Sequence, residues 1–281
     1  MVKPLVFLKL FIITIFFVSC NIDFFGIIKS SDLDERLADK DNFVFLDDNS
    51  RKWRELELGN GSYSFIVLSD TLIEDGKAFG FDIMKNIITS DVKFMVHLGN
   101  ITQYGSSQDI KKFIDIADSF GIPCYPIIGN HDFYFNNWSV WKRYIGSTNY
   151  RIDGYNDAKT SGVSLFILDS GNSFFGKEQL DWLENEIKST NENVFVFTHS
   201  PLFVTGPADM QQITDTKERA RLVSILKDKC GIMFMGHLHK CVINETGNVR
   251  YIGLEDFLNT KTYCLVKVNG LNVTYEFKKL Y

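Results

Sequence analysis

Six short runs of almost uninterrupted apolar residues, Phe65 to Leu68, Phe94 to Leu98, Tyr125 to Ile128, Val163 to Leu168, Val194 to Phe197 and Ile232 to Met235, recur with longer amphipathic segments between them. Runs this short that are apolar at both odd and even positions read as strands covered on both faces. The intervening segments carry the helical period. Asp109 to Phe120 puts Ile110, Phe113, Ile114 and Ala117 on one face, with Gly121 as a stop. Gln179 to Ile187 and Thr216 to Lys229 gather their apolar residues in the same way. Strand and helix in alternation predict an α/β fold with a largely parallel sheet covered by helices. The tail differs: Thr262 to Val268, Asn269-Gly270 and Asn272 to Phe277 read as a β-hairpin. A chain of 281 residues with 45% hydrophobic content supplies the core of one sizeable domain, and the 25 phenylalanines are spread through it as core residues.

Nearly every one of these strands ends in a polar turn. The turns are Ser69-Asp70, Gly99-Asn100, Gly129-Asn130-His131-Asp132, Thr198-His199-Ser200-Pro201 and Gly236-His237-Leu238-His239. Ligands of open α/β sheets bind at the carboxyl ends of the strands, so these five segments predict one shared cleft. Four of the five histidines lie in the turns, while His97 lies on a strand and reads as a core residue. Taken singly, Asp70 is an ordinary strand-end carboxylate and His199 a turn residue; their place in the ordered set gives them a role. Two histidines at i and i+2, His237 and His239, can diverge toward different metals or toward a metal and a substrate. Thr198-His199-Ser200 also invites a serine-hydrolase reading, but the chain has no Gly-x-Ser-x-Gly elbow.

The ordered set resembles the calcineurin-like metallophosphoesterases, whose pattern is Asp-x-His, Gly-Asp, Gly-Asn-His-Asp or Glu, a His, and Gly-His-x-His, here spread from about Ser64 to Phe257. The resemblance implies a four-layer α/β/β/α sandwich and hydrolysis of a phosphomonoester or phosphodiester by metal-activated water. It implies that Asp70 and His239 bind a first divalent ion, and that Asn130, His199 and His237 bind a second, with Asn100 as a further neutral donor. His131 would protonate the leaving group and Asp132 would orient its ring. The metals implied are Mn, Fe or Zn, one ion or two. Two positions depart from the pattern. Leu72 stands where a histidine ligand belongs, and Asn100 where the bridging aspartate belongs, so a mononuclear centre survives better than a dinuclear one. Glu74 and Asp75 are close enough in sequence to substitute. The alternatives are an inactive pseudoenzyme that binds a partner at the surface, and a mononuclear metal-binding protein without hydrolysis. Asn136 to Asp157 and Thr205 to Thr216, where substrate choice would reside, carry no recognisable code.

The first twenty residues form a separate unit. Lys3 and Lys9 accompany an apolar stretch, Leu10 to Val18, that is too short to span a bilayer and ends in Ser19-Cys20. Phe17-Val18-Ser19-Cys20 resembles a bacterial lipoprotein signal, with Phe17 where Leu is usual. That implies cleavage before Cys20, lipidation of Cys20, and an exported protein anchored to a membrane of the bacterial cell envelope. The expected layout is a signal peptide over 1–19, a lipidated N-terminus and tether over 20–62 that is followed by a peripheral strand or short helix around Phe43, Phe45 and Trp53, and the phosphoesterase domain over 63–281. Loss of Lys3 and Lys9 takes the formal charge from -5 to -5 - 2 = -7. An acidic chain with both signs interspersed is not built for nucleic acid, so a phosphorylated small molecule or other phosphoester is the expected partner. Cys124, Cys230, Cys241 and Cys264 have no metal-ribbon spacing and read as buried thiols.

Overall fold

Alternate residues of single strands enter two different cores, and this divides the molecule into layers. The computed structural model describes residues 32–48, 52–159, 162–203 and 212–281. The expected signal peptide, Cys20 and most of the expected Thr205–Thr216 loop lie outside them. In chain order the elements are α1 (Leu33–Leu37), β1 (Leu56–Glu57), β2 (Tyr63–Leu68), β3 (Val92–His97), α2 (Ser107–Ser119), β4 (Cys124–Pro126), α3 (Trp138–Tyr144), β5 (Tyr150–Tyr155) and β6 (Gly162–Leu168). They continue with α4 (Lys177–Glu186), β7 (Asn193–Thr198), α5 (Thr216–Leu226), β8 (Ile232–Met235), β9 (Val242–Thr246), β10 (Val249–Gly253), α6 (Phe257–Thr260), β11 (Thr262–Asn269) and β12 (Asn272–Lys279).

The strands make a seven-stranded sheet, β1-β5-β6-β7-β8-β10-β9, and a five-stranded sheet, β12-β11-β2-β3-β4. Phe195 and Phe197 of β7 and Phe234 of β8 face the second sheet, where Phe65 meets them at ring distances of 5.0, 6.4 and 6.4 Å. The intervening residues Val194, Val196, Met233 and Met235 point the other way, into a separate core with Leu180 and Leu183 of α4 and Leu222 and Leu226 of α5. Beyond the second sheet, Phe113 of α2 packs edge-on against His97 of β3 at 6.0 Å. The result is the expected α/β/β/α sandwich. α2 starts where the Ser106 hydroxyl accepts from the Asp109 amide, and it buries Ile110, Phe113, Ile116 and Ala117.

The central strands β6, β7, β8 and β10 are parallel, as are β2, β3 and β4, while β5, β9, β11 and β12 each join an antiparallel pair. The C-terminal hairpin extends the smaller sheet, with β11 paired to β2. Before residue 63 the chain carries α1 and β1, and its apolar residues join the core. Leu33, Leu37, Phe45, Leu46, Leu56 and Leu58 are buried, and β1 pairs with β5. Arg36 is fully buried in a two-point ion pair with Asp169, Nε to Oδ2 at 2.7 Å and Nη2 to Oδ1 at 2.8 Å, its guanidinium 4.3 Å from the centre of the Phe133 ring. Described residues before 63 thus pack against the sheets and helices that follow. Among the described residues no helix is long and apolar enough to cross a membrane. Cys124, Cys230 and Cys264 are buried free thiols; Cys241 is exposed.

Candidate metal centre

Five turns meet where the carboxyl ends of β2, β3, β4, β7 and β8 converge. The chain must fold back sharply at each, and the backbone records it. Asp70, Leu72, Asn100, His237 and His239 all have left-handed φ, between 48° and 69°, a conformation that costs a residue with a side chain about 1–2 kcal/mol. A concentration of such strain in one place marks a functional site. Backbone bonds tie the turns together: Asp70 N to Gly99 O (3.1 Å), Leu72 N to Asn100 O (3.1 Å) and Gly236 N to His199 O (2.9 Å). Gly129 is required because a Cβ there would sit 2.3 Å from both the amide nitrogen and Oδ1 of Asn100.

Three donors converge at one side. His199 Nε2 lies 3.1 Å from Asn130 Oδ1 and 3.1 Å from His237 Nδ1. Donors about 2.1 Å from a shared ion, at tetrahedral or octahedral angles, are about 3.0–3.4 Å apart. The fully buried His199 keeps its Nδ1 2.7 Å from the Leu98 carbonyl, so that nitrogen carries the proton and Nε2 presents a lone pair. Asn130 donates from Nδ2 to the Tyr134 hydroxyl at 2.6 Å and so turns Oδ1 toward that lone pair. The opposite turn of the amide would make a hydrogen bond to Nε2. The orientation present sets lone pair against lone pair, which a cation between them resolves. Burial lowers His199 from its ordinary value and brings His237 down to about 3, keeping both rings neutral as ligands must be. These three residues fit one divalent ion.

Asp70 and His239 contact each other and further protein groups. Both Asp70 oxygens are already engaged: Oδ1 accepts from Asn100 Nδ2 at 2.9 Å and faces His239 Nε2 at 3.3 Å, while Oδ2 accepts from the Ser69 hydroxyl and from the His237 amide at 3.2 Å. Burial alone would raise the Asp70 carboxyl. The His239 hydrogen bond, the electrostatic pull of the neighbouring His199 and His239 rings and the Ser69 hydroxyl together hold it well below its ordinary value. Leu72 brings an isobutyl group to the place of a ligand, and it is buried. Glu74 and Asp75 are drawn into a turn closed by Lys77 N to Glu74 O (2.9 Å), with Asp75 exposed. Among the described residues no group of three or more His, Cys, Asp or Glu side chains could hold a metal; the set at His199 is completed by the amide of Asn130.

Two residues of the expected set bond to protein groups on several sides, and Asn100 does so at both ends of its amide. Its Nδ2 faces Asp70, and its Oδ1 accepts from the His131 amide at 3.1 Å. Reversing that amide would oppose oxygen to oxygen at one end and N–H to N–H at the other. Asp132 bonds to backbone around it. Its buried carboxylate accepts from the amides of Ile101 (3.2 Å), Thr102 (2.8 Å) and Gly129 (2.9 Å) and from the Thr102 hydroxyl, so it clamps the loop after β3 to the loop after β4. Burial raises its carboxyl to about 7 against the pull of those bonds. The His131 ring is held at Nδ1, 2.9 Å from the Gln103 carbonyl. Sequence reasoning missed Gln103, Tyr134 and the Leu98 carbonyl; only Tyr134, four residues after Asn130, left a signal there. His97 is the core residue expected, bonded through Nε2 to Thr71 at 2.9 Å.

The chain is 26% identical over 201 residues to a Fibrobacter succinogenes protein named a probable cyclic nucleotide phosphodiesterase, a match covering 66% of this chain and 73% of that one. It is 26% identical over 153 residues to a probable glycerophosphodiester phosphodiesterase of Arcobacter nitrofigilis, covering 52% of this chain and 56% of that one. Among solved structures, a dimetal phosphatase from Danio rerio superposes with a TM-score of 0.55 at 14% identity, covering 77% of this chain and 99% of that one. An anchor protein of the inner membrane complex of Plasmodium superposes with a TM-score of 0.61 at 13% identity, covering 78% and 85%. Residues 63–241 match the calcineurin-like phosphoesterases, a family of dinuclear metal-dependent hydrolases, and the chain belongs to that family.

Proposed function

We propose that the chain hydrolyses a phosphoester, a phosphodiester before a phosphomonoester, using one divalent ion (Mn, Fe or Zn) held by Asn130, His199 and His237. The observation that carries this reading is the convergence of Asn130 Oδ1 and His237 Nδ1 on His199 Nε2, each at 3.1 Å. Membership of the family and relatives named as phosphodiesterases support the reaction class and the diester. When bound, such an ion supplies a Lewis acid and lowers the pKa of a coordinated water. The chain's own residues do the rest. The Leu98 carbonyl fixes the His199 tautomer, and Tyr134 fixes the Asn130 amide. Asp132 and Asn100 together set the backbone position of His131. With Nδ1–H committed to the Gln103 carbonyl, Nε2 of His131 carries a proton only in the doubly protonated ring, and it is that imidazolium that gives its Nε2 proton to the leaving oxygen as the P–O bond breaks and so becomes neutral. Asp70, Asn100 and His239 close on one another and take the place of the second ion.

A second reading, a surface binding protein without hydrolysis, is favoured by Leu72 and by the saturated Asp70 carboxylate. Turnover of generic phosphodiester and phosphomonoester substrates separates the two. Activity in the natural chain that His131→Ala and His199→Ala abolish supports hydrolysis. Activity that appears only after Leu72→His with Asn100→Asp overturns it. Export and lipid anchoring to the cell envelope belong to the same proposal and rest on Phe17-Val18-Ser19-Cys20. Incorporation of a labelled fatty acid, lost in Cys20→Ser, tests them.

A further inference from the structure

The first helix, α1, docks at the end of the sandwich that carries the metal centre. Arg36 pairs with Asp169, the residue after β6, and its guanidinium lies over Phe133 in the loop after β4. The same guanidinium donates from Nη1 to the Asp32 carbonyl at 3.3 Å, so the described chain starts at the cleft end. Residues 21–31 connect Asp32 to Cys20, a reach of at most about 40 Å at full extension. A folded domain of this length is about 45 Å across. A lipid on Cys20 thus holds the cleft end near its bilayer, and the opposite end reaches that bilayer only with the connection stretched along the whole protein.

The cleft end also carries aromatic rings that the core does not use. Among the described residues Phe79 and Phe135 are the exposed phenylalanines, at 37% and 39%, and Tyr104 is 41% exposed. They lie in the loops that follow β2, β4 and β3, three strands that run parallel, so one end of the smaller sheet presents all three. The Tyr104 and Phe135 rings meet at 5.7 Å. Phe79 and Phe135 both have left-handed φ, 49° and 57°, where a bulky residue is an outlier. Backbone strain that leaves an apolar ring in water is not explained by packing within the chain. Rings of this kind suit the boundary between lipid headgroups and acyl chains. Asp75 and Lys77, both exposed in the loop of Phe79, offset each other, so this rim does not repel a zwitterionic surface. The opposite end exposes apolar side chains too, among them Leu271 at 76% in the turn between β11 and β12, where the Gly270 carbonyl accepts from Asn193 at the start of β7. It has no anchor beside it.

We infer that Phe79, Tyr104 and Phe135 form a membrane-contacting face that seats in the interface of the bilayer holding the Cys20 lipid, with the metal centre turned toward the headgroups. The inference rests on the lipid-anchor part of the proposed function and adds to it the orientation of the domain and the residues that touch lipid. It is independent of catalysis.

The test uses the full chain, purified from the membrane with its lipid and reconstituted into phosphatidylcholine vesicles with and without brominated acyl chains, which quench tryptophan emission within the bilayer. The natural chain is compared with Phe79→Trp, Phe135→Trp and Leu271→Trp, each checked for its fold by circular dichroism. The expected result is that the emission added by Phe79→Trp and Phe135→Trp shifts to the blue and is quenched in the brominated vesicles, while that added by Leu271→Trp is unchanged. Quenching of Leu271→Trp equal to or greater than that of the other two, or no quenching of Phe79→Trp and Phe135→Trp, overturns the inference. Fatty-acid incorporation is measured on the same samples. A chain without fatty acid on Cys20 that still shows quenching at the cleft end alone loses the anchor and keeps the face. A lipidated chain quenched at both ends or at neither keeps the anchor and loses the face.

Discussion

Replacing Asn100 by Asp restores the residue usual in the family and, in the absence of metal, should damage the protein. Asn100 Nδ2 donates to Asp70 Oδ1 at 2.9 Å, and both residues are buried. A carboxylate in its place sets two negative oxygens at that separation, a repulsion of about 6 kcal/mol at an effective dielectric constant of about 20. The pair escapes by binding a proton. Lifting one carboxyl from its ordinary value past pH 7 costs about 4 kcal/mol, which caps the penalty. For a chain of this size about 4 kcal/mol corresponds to a fall of about 10 °C in Tm. A divalent ion removes the repulsion, so saturating Mn²⁺ should return most of that loss and raise the Tm of Asn100→Asp far more than that of the natural chain. Thermal unfolding followed by circular dichroism in EDTA and in Mn²⁺ gives both numbers. An Asn100→Asp protein that melts in EDTA within about 2 °C of the natural chain refutes the reasoning, because Asn100 would then not be standing in for a cation at Asp70.

Other perturbations test other parts of the account. Gly129→Ala drives a Cβ to 2.3 Å from Asn100 and should displace the turn bearing Asn130 and His131, with a cost of about 1–3 kcal/mol in denaturant titration and loss of metal uptake. Arg36→Ala or Asp169→Ala leaves a buried charge without its partner and should cost about 3–5 kcal/mol, whereas Arg36→Met with Asp169→Leu should cost much less; chemical unfolding of the three variants decides it. Phe65→Ala opens the space between the sheets and should cost about 3–5 kcal/mol by the same measurement, with the metal affinity unchanged.

The strands buried on both faces were legible because covered strands need apolar residues at every position. Phe195 and Val196 serve different cores, yet both had to be apolar. β5 and β9 lie nearer solvent, with β5 burying only Tyr150, Ile152 and Gly154 and β9 burying nothing fully, so their mixed patterns do not stand out as strands. The segment before residue 63 was legible only as a tether with a peripheral strand or short helix, for a related reason. Phe43, Phe45 and Trp53 look isolated in a polar stretch, but Phe45 docks on Phe113 across the molecule, and Arg36 pairs with Asp169, 133 residues away. No local pattern announces such partners. At the site, the histidines and Asn130 were legible because turns at strand ends concentrate them. The direction in which each amide or carboxylate points is set by partners supplied by other turns. Asn100 reads as a donor to metal and Asp132 as the partner of His131, while the bonds of Asn100 to the His131 amide and Asp70, and those of Asp132 to Ile101, Thr102 and Gly129, left no mark in the sequence.

The number of metal ions bound by the natural chain bears most directly on the central claim. Metal analysis by mass spectrometry after loading with Mn, Fe or Zn and desalting should find close to one ion per chain, removed by His199→Ala or Asn130→Ala and retained in Asp70→Asn. Two ions per chain, with one lost in Asp70→Asn, would contradict the account: the Asp70–Asn100–His239 cluster would then be a metal site and not the replacement for one.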